Sequence, residues 1–213
     1  MPVTALPLPA PDDPLPLARQ WLDEAFAGAA RTPGAMALAT SSADNRPAVR
    51  MVLLKELAPA GYAVFYTNYE SRKALELAAN ARAAAVLYWE RLGRQLRLEG
   101  PVVRSPTAES DAYFASRPRA SQINAWVSAQ SRPLADSAEL RRRAEQRGAE
   151  AGSEARLPRP PFWGGYRLWA ETLELWVEGA GRFHDRVRWS RALQPAGDAE
   201  FAAGPWRHER LQP

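Results

Sequence analysis

Arg50-Met51-Val52-Leu53-Leu54-Lys55 is an apolar run with a cation at each end. Side chains alternate faces along a strand, so Arg50 and Lys55 are expected on opposite faces of a regular one. Buried cations need anionic partners. The run is therefore read as two anion contacts, with strand ends that reach solvent as the plain alternative. Only two of the 28 basic side chains are lysines, Lys55 and Lys73. Lys73 belongs to Ser71-Arg72-Lys73, which opens a helix. Free N–H groups at a helix start favour an anion, and cations there oppose the helix dipole unless something compensates them.

Three further sets have usable chemistry. Tyr113, Arg117 and Ser121 are spaced by four, which on one helix face makes a phosphate-binding set of two hydroxyls and a guanidinium; Pro118 interrupts that helix. Gln95, Gln130, Ser131 and Trp176 offer amides, a hydroxyl and a large ring, which suit a planar heteroaromatic ligand. Arg182, His184 and Arg186 share a face if Arg182 to Trp189 is a strand, and a His between two guanidiniums has reason to stay neutral. Each set has a structural alternative: a helix edge, a polar core contact, the outer face of an edge strand.

The chain contains no Gly-rich dinucleotide fingerprint, no P-loop, no nucleophile elbow and no metalloprotease helix motif. Zero Cys excludes disulfides, iron–sulfur clusters and Cys nucleophiles. With only two His, no metal site is expected. A net charge of +4 with scattered Arg gives little support for nucleic-acid binding. The chain has no apolar run long enough to cross a membrane and no signal-peptide pattern, so a cytoplasmic protein is expected. The 213 residues suit one domain, and eight Trp call for a large core, a ligand pocket or a subunit interface.

The elements that must position these groups follow from pattern. Residues 1–12 are rich in Pro and Ala and read as an extended or disordered lead-in to a single domain over 13–213. Asp13-Pro14 opens a helix whose apolar stripe runs to Phe26. Strands are expected over Ala35 to Thr40, Val49 to Leu54, Tyr62 to Thr67, Ala83 to Trp89 and Gln95 to Val103, with a helix from Ser71 to about Asn80. Helices follow over Pro106 to Phe114, Ser121 to Val127 and Leu134 to Glu150. Strands return over Trp163 to Trp169, Glu171 to Val177, Arg182 to Trp189 and Trp206 to Leu211, with 191–204 as a loose loop. Meander-like spacing with one inserted helix points to an antiparallel, Greek-key-like barrel of the mostly β, α+β class.

Taken jointly, RMVLLK (50–55), FYTNYESRK (65–73), YFASRPRASQINAWVSAQS (113–131), PFWGGYR (161–167), RFHDR (182–186) and the terminal RLQP (210–213) resemble the pyridoxamine 5′-phosphate oxidase family, in its order and spacing. The resemblance implies an FMN-binding split β-barrel with peripheral helices. It also implies a homodimer with FMN at the subunit interface, and oxidation of pyridoxamine or pyridoxine 5′-phosphate by O2 to pyridoxal 5′-phosphate and H2O2, by hydride transfer from C4′ to flavin N5. By position, Arg50, Met51, Val52, Leu53, Leu54, Lys55, Tyr66, Thr67, Arg72, Lys73, Gln95, Gln130, Ser131, Trp176 and Arg186 would bind FMN. Lys55, Tyr113, Arg117 and Ser121 would hold the substrate phosphate, and Arg182 and His184 would sit over the substrate ring as the catalytic pair. A related FMN oxidase of the phenazine-biosynthesis type, or a flavin-binding module without this activity, would use the same scaffold. Asn124 stands where that family commonly has Gly, and Trp169 where it has a smaller apolar residue.

Overall fold

The computed structural model describes residues 5–29, 31–152 and 157–213. Ten antiparallel strands form one curled sheet: β1 (Ala35–Ser41), β2 (Pro47–Leu53), β3 (Glu56–Leu57), β4 (Tyr62–Asn68), β5 (Arg82–Trp89), β6 (Arg94–Arg104), β7 (Trp163–Trp169), β8 (Thr172–Val177), β9 (Asp185–Ser190) and, last in the chain, β12 (Arg207–Leu211). The main path runs β12-β9-β8-β6-β5-β1-β2, and β7, β4 and β3 branch from β6. The eleven-residue β6 makes this possible. Its first half pairs with β8 through Arg94 to Glu99, and its end pairs with β7 through Val102 to Arg104. Gly100 sits at the change of partner, where a Cβ would lie 2.0 Å from the Trp169 carbonyl oxygen. Only Gly allows that approach, and the sheet curls there into a split barrel.

Alternate residues of β1 and β6 point inward, as a half-buried strand requires. Met36, Leu38, Leu87, Leu96, Leu98, Leu168, Leu173 and Trp189 meet in the barrel core. Trp21, Trp89, Trp163, Trp169 and Trp189 are buried, so the high Trp count serves mainly the core. Trp169 packs on Tyr62 and Phe201.

Five α-helices decorate the sheet: α1 (Leu15–Glu24), α2 (Arg72–Ala79), α3 (Thr107–Ser116), α4 (Arg119–Val127) and α5 (Ser137–Glu150). Asp13 caps α1 by accepting the Leu15 N–H at 3.0 Å. Wider turns over Ala25–Ala29 continue the chain to Gly28, whose φ of 117° ends it.

Three expectations change. The lead-in is anchored at two points: Leu6 is 5% exposed, and Pro11 accepts a hydrogen bond from Trp189 Nε1. Apolar burial there offsets the entropy that its prolines have already reduced; residues 1–4 lie outside the described residues. The stretch 191–204 is not a loose loop, since β10 (Leu193–Pro195) pairs with β11 (Phe201–Ala203) as a short hairpin. Arg182 and His184 precede β9 in a tight turn, so the alternation that would align them with Arg186 does not apply.

Candidate active site

β2 ends at Leu53, and Lys55 follows in the link to β3. Arg50 and Lys55 part company here. Arg50 turns toward α2, where Nη2 meets Glu76 Oε2 at 2.8 Å and Nη1 reaches Thr40 Oγ1 and the Leu38 carbonyl. Lys55 lines a cleft of about 450 Å³ with Met51, Val52, Leu53, Tyr66 and Thr67 from the sheet. The same cleft takes Lys73 from α2, Tyr113 from α3, and Arg117, Ser121, Asn124 and Gln130 from α4 and its flanks. α3 stops at Ser116, Arg117 is extended and Pro118 precedes α4. Tyr113, Arg117 and Ser121 therefore share no continuous helix, yet the break folds all three into one cleft.

The two ends of the cleft differ in how their donors are used. At one end Lys73 is buried and its ammonium is fully engaged: Nζ donates to Thr67 Oγ1 at 3.0 Å, Ser71 Oγ at 3.2 Å and Gln130 Oε1 at 2.9 Å. Burial, followed by repulsion from Arg50, pushes its pKa down to about 8. The Ser71 hydroxyl accepts from Lys73 and makes no side-chain cap on α2. Glu76, rather than an external anion, compensates the cations at the helix start: it takes Arg72 Nε at 2.7 Å as well as Arg50. Burial opposes the charged form of Glu76, and hydrogen bonds from Thr40, Arg72 and Arg50 outweigh it and hold its pKa low.

At the other end the donors are open. Among the described residues Lys55 has no carboxylate partner, and Arg117 Nη1 is buried without an acceptor. Arg117 lies over the Trp163 ring, and burial lowers its pKa. Tyr113, Tyr66 and Trp163 form a near-parallel aromatic wall, Tyr66 to Tyr113 being 3.9 Å between ring centres. Burial, followed by Glu109, raises the Tyr66 pKa far above its ordinary value, so this hydroxyl stays protonated.

The remaining candidates stand elsewhere. Arg72 and Ser131 line a neighbouring cleft of about 420 Å³. Leu54 is a core residue. Gln95, Trp176 and Arg186 are direct cross-strand neighbours on β6, β8 and β9 and form one outward row. Glu174 holds Arg186, Nε at 3.0 Å and Nη2 at 2.9 Å. The His184 ring lies 4.6 Å from Trp176, and its Nδ1 accepts the Gly179 N–H at 3.2 Å. None of these row residues lines the 450 Å³ cleft. Trp163 lay in the PFWGGYR motif without a role assigned to it, and Glu76 lay in no motif; an aromatic wall and a buried counter-charge are visible only in three dimensions.

A family model described as pyridoxamine 5′-phosphate oxidase matches residues 22–149. The chain belongs to the pyridoxamine 5′-phosphate oxidase family. A second model, the pyridoxine 5′-phosphate oxidase C-terminal dimerisation region, matches residues 163–213, which carry the outward row from β8 onward. Curated relatives in the family include pyridoxine/pyridoxamine 5′-phosphate oxidases of Rubrobacter xylanophilus and Rhodospirillum rubrum. The first is 46% identical over 96% of this chain and 88% of its own; the second is 47% identical over 94% and 96%. Among solved structures, PhzG from Burkholderia lata 383 in complex with tetrahydrophenazine-1-carboxylic acid matches with a TM-score of 0.82 and 31% identity over 95% of this chain and 94% of that one. A pyridoxamine 5′-phosphate oxidase-related, FMN binding protein from Nostoc punctiforme shares the split-barrel fold, with a TM-score of 0.69 at 15% identity, covering 93% of this chain and 96% of that one. Among the described residues no helix is long and apolar enough to cross a membrane.

Proposed function

We propose that this oxidase-family chain binds FMN and uses O2 to oxidise pyridoxine 5′-phosphate, or with uptake of water and release of ammonia pyridoxamine 5′-phosphate, to pyridoxal 5′-phosphate and H2O2. The carrying observation is the buried Arg117 Nη1, which has no acceptor among the described residues, in one cleft with Lys55, which has no carboxylate partner among them, and walled by three aromatic rings. A buried guanidinium donor without an acceptor is costly, and a phosphate dianion would satisfy it. Lys55, Ser121 and the Tyr113 hydroxyl would complete that subsite. The phenazine-type alternative receives less support, because its ligand as named carries a carboxylate on a fused ring and no phosphate.

The residues also fit FMN. Lys73, Thr67 and Gln130, which hydrogen-bond one another, would exchange part of that set for its phosphate end, with Arg50 and Arg72 set beside them by Glu76. Gln95, Trp176 and Arg186 supply an amide, a ring and a guanidinium for the flat end. In one chain this row lies outside the cleft, so we assign the complete site to a homodimer in which the row of one protomer faces the cleft of the other. Val49, Met51 and Leu53, exposed by 69, 62 and 46%, give β2 an apolar outer face suited to such an interface. A cytoplasmic location accords with this reading.

When bound, FMN would supply the hydride acceptor for the C4′ carbon, with O2 as the final electron acceptor. The chain contributes placement and charge. Binding at the phosphate fixes the reacting carbon at a distance from the contacts that hold it. His184 accepts a hydrogen bond at Nδ1, which leaves Nε2 as the nitrogen that can donate to the substrate ring; Arg182 would stand beside it.

The test is composition and mass. Purified protein should be a dimer that releases FMN on denaturation, one per protomer. A monomer that holds FMN as tightly as the dimer would rule out the shared site.

A further inference from the structure

The turn that carries Arg182 and His184 is strained. Arg182 has a φ of 67°, unfavourable for a residue with a Cβ. At Gly179 a Cβ would lie 1.8 Å from the Phe183 carbonyl oxygen. Phe183, at the tip, is 82% exposed, so apolar packing does not hold the turn from above. Its own bonds are few: Gly179 N–H to His184 Nδ1, Phe183 N–H to the Ala180 carbonyl at 3.2 Å, and His184 N–H to the Arg182 carbonyl at 2.9 Å.

Asp185, first residue of β9, stands at the root of this turn. Its Oδ2 accepts the Leu6 N–H at 2.9 Å, and its Oδ1 accepts Arg210 Nη1. Arg210 Nη2 donates to the Pro7 carbonyl at 2.9 Å, which closes a ring of contacts between the two chain ends and β9. Arg186 Nη1 adds a bond to the Gln212 carbonyl at 3.2 Å. Strand alternation sends Asp185 to the face opposite Arg186, away from the ligand-facing row. One carboxylate therefore joins residues 6, 185 and 210 without itself facing the substrate.

We infer that Asp185 is a positioning residue: by tying the N-terminal segment and the C-terminal strand to the root of the 179–184 turn, its carboxylate sets where Arg182 and His184 stand. The inference rests on the oxidase reading for its kinetic consequence, and its structural half stands apart from that reading.

The experiment compares Asp185→Ala, Asp185→Asn and Arg210→Ala in full-length, FMN-loaded protein by amide hydrogen exchange and by steady-state kinetics with pyridoxine 5′-phosphate. Asp185→Ala should speed exchange at Leu6 and at 182–186 together. It should also lower kcat/KM about 10-fold with FMN content unchanged, as a displaced constellation does. Asp185→Asn keeps an oxygen for the Leu6 N–H and should restore protection at Leu6 and part of the rate. Arg210→Ala should fall between the two, and carries the same comparison if Asp185→Ala does not fold. Faster exchange at Leu6 alone, an unchanged kcat/KM, or a fall matched by lost FMN would overturn the inference. A wild-type protein without oxidase activity would instead sink the oxidase reading, while coupled exchange at 6 and 182–186 would still support the clamp.

Discussion

The guanidinium carbon of Arg117 lies 4.5 Å from the centre of the Trp163 ring, and its Nη1 is shut from water with no acceptor among the described residues. A guanidinium keeps its proton under these conditions, so the cost of burial persists until an anion arrives. Arg117→Ala should then raise KM for the B6 phosphate roughly 10- to 100-fold, the range of a charge-assisted hydrogen bond of about 1.5–3 kcal/mol. FMN content should not change. Loss of FMN with an unchanged KM would place Arg117 at the cofactor end instead.

Lys73 gives a pH signature. Its proton is held with a pKa of about 8, against an ordinary 10.5. Above pH 8 the apoprotein loses the ammonium, so affinity for FMN should fall while affinity for riboflavin, which lacks the phosphate, stays level. The folding sign is the opposite. Between about 8 and 10.5 the unfolded chain binds more protons, so burying Lys73 destabilises the fold less as pH rises. Fluorescence titration of apoprotein from pH 7 to 10 checks the first statement, and Lys73→Met should remove the pH dependence of the FMN–riboflavin difference.

Glu76 is the counter-charge that keeps Arg50 and Arg72 in place. Glu76→Gln should cost about 2–3 kcal/mol of stability at pH 7, toward the low end for a buried pair because Arg72 is well exposed. The folded pKa of Glu76 is depressed below 4.5, so its contribution is present above that value and is lost as pH falls through the folded pKa. Urea unfolding should show the gap between wild type and variant narrowing on acidification. A constant gap would mean that packing, not charge, links Glu76 to its partners.

Met51 tests the shared site. It stands in one cross-strand row with Ala37 and Val86 on the outer face of the sheet. Met51→Glu would bury an unpaired charge in a subunit interface, at a cost of several kcal/mol. The dimer should dissociate at micromolar concentrations, with FMN released in parallel. Light scattering combined with the flavin spectrum reads both; a monomer that stays yellow would contradict the two-protomer site.

Much of this was legible in the chain because local pattern and local structure agree. Apolar and aromatic runs bounded by turn residues marked β1, β4, β5 and β6, and Asp13-Pro14 marked α1. Motif order marked Lys55, Tyr113, Arg117 and Ser121, which the fold brings together even though Pro118 breaks the helix that would have aligned them. What escaped depends on distant partners. Arg50 looked like a free anion ligand because Glu76 lies 26 positions away. The lead-in looked loose because Leu6 is fixed by Asp185, 179 positions on. The Arg182–His184 turn read as strand because its apolar and polar residues alternate, whereas the positive φ of Gly181 and Arg182 bends the chain there.

The central claim is oxidation of a B6 phosphate at this cleft. FMN-loaded protein should be mixed with pyridoxine 5′-phosphate in air, with pyridoxal 5′-phosphate and H2O2 followed together. Equimolar aldehyde and peroxide, suppressed in Arg117→Ala at low substrate and restored at high substrate, is the predicted result. An FMN-loaded protein that leaves pyridoxine and pyridoxamine 5′-phosphate unchanged would contradict it.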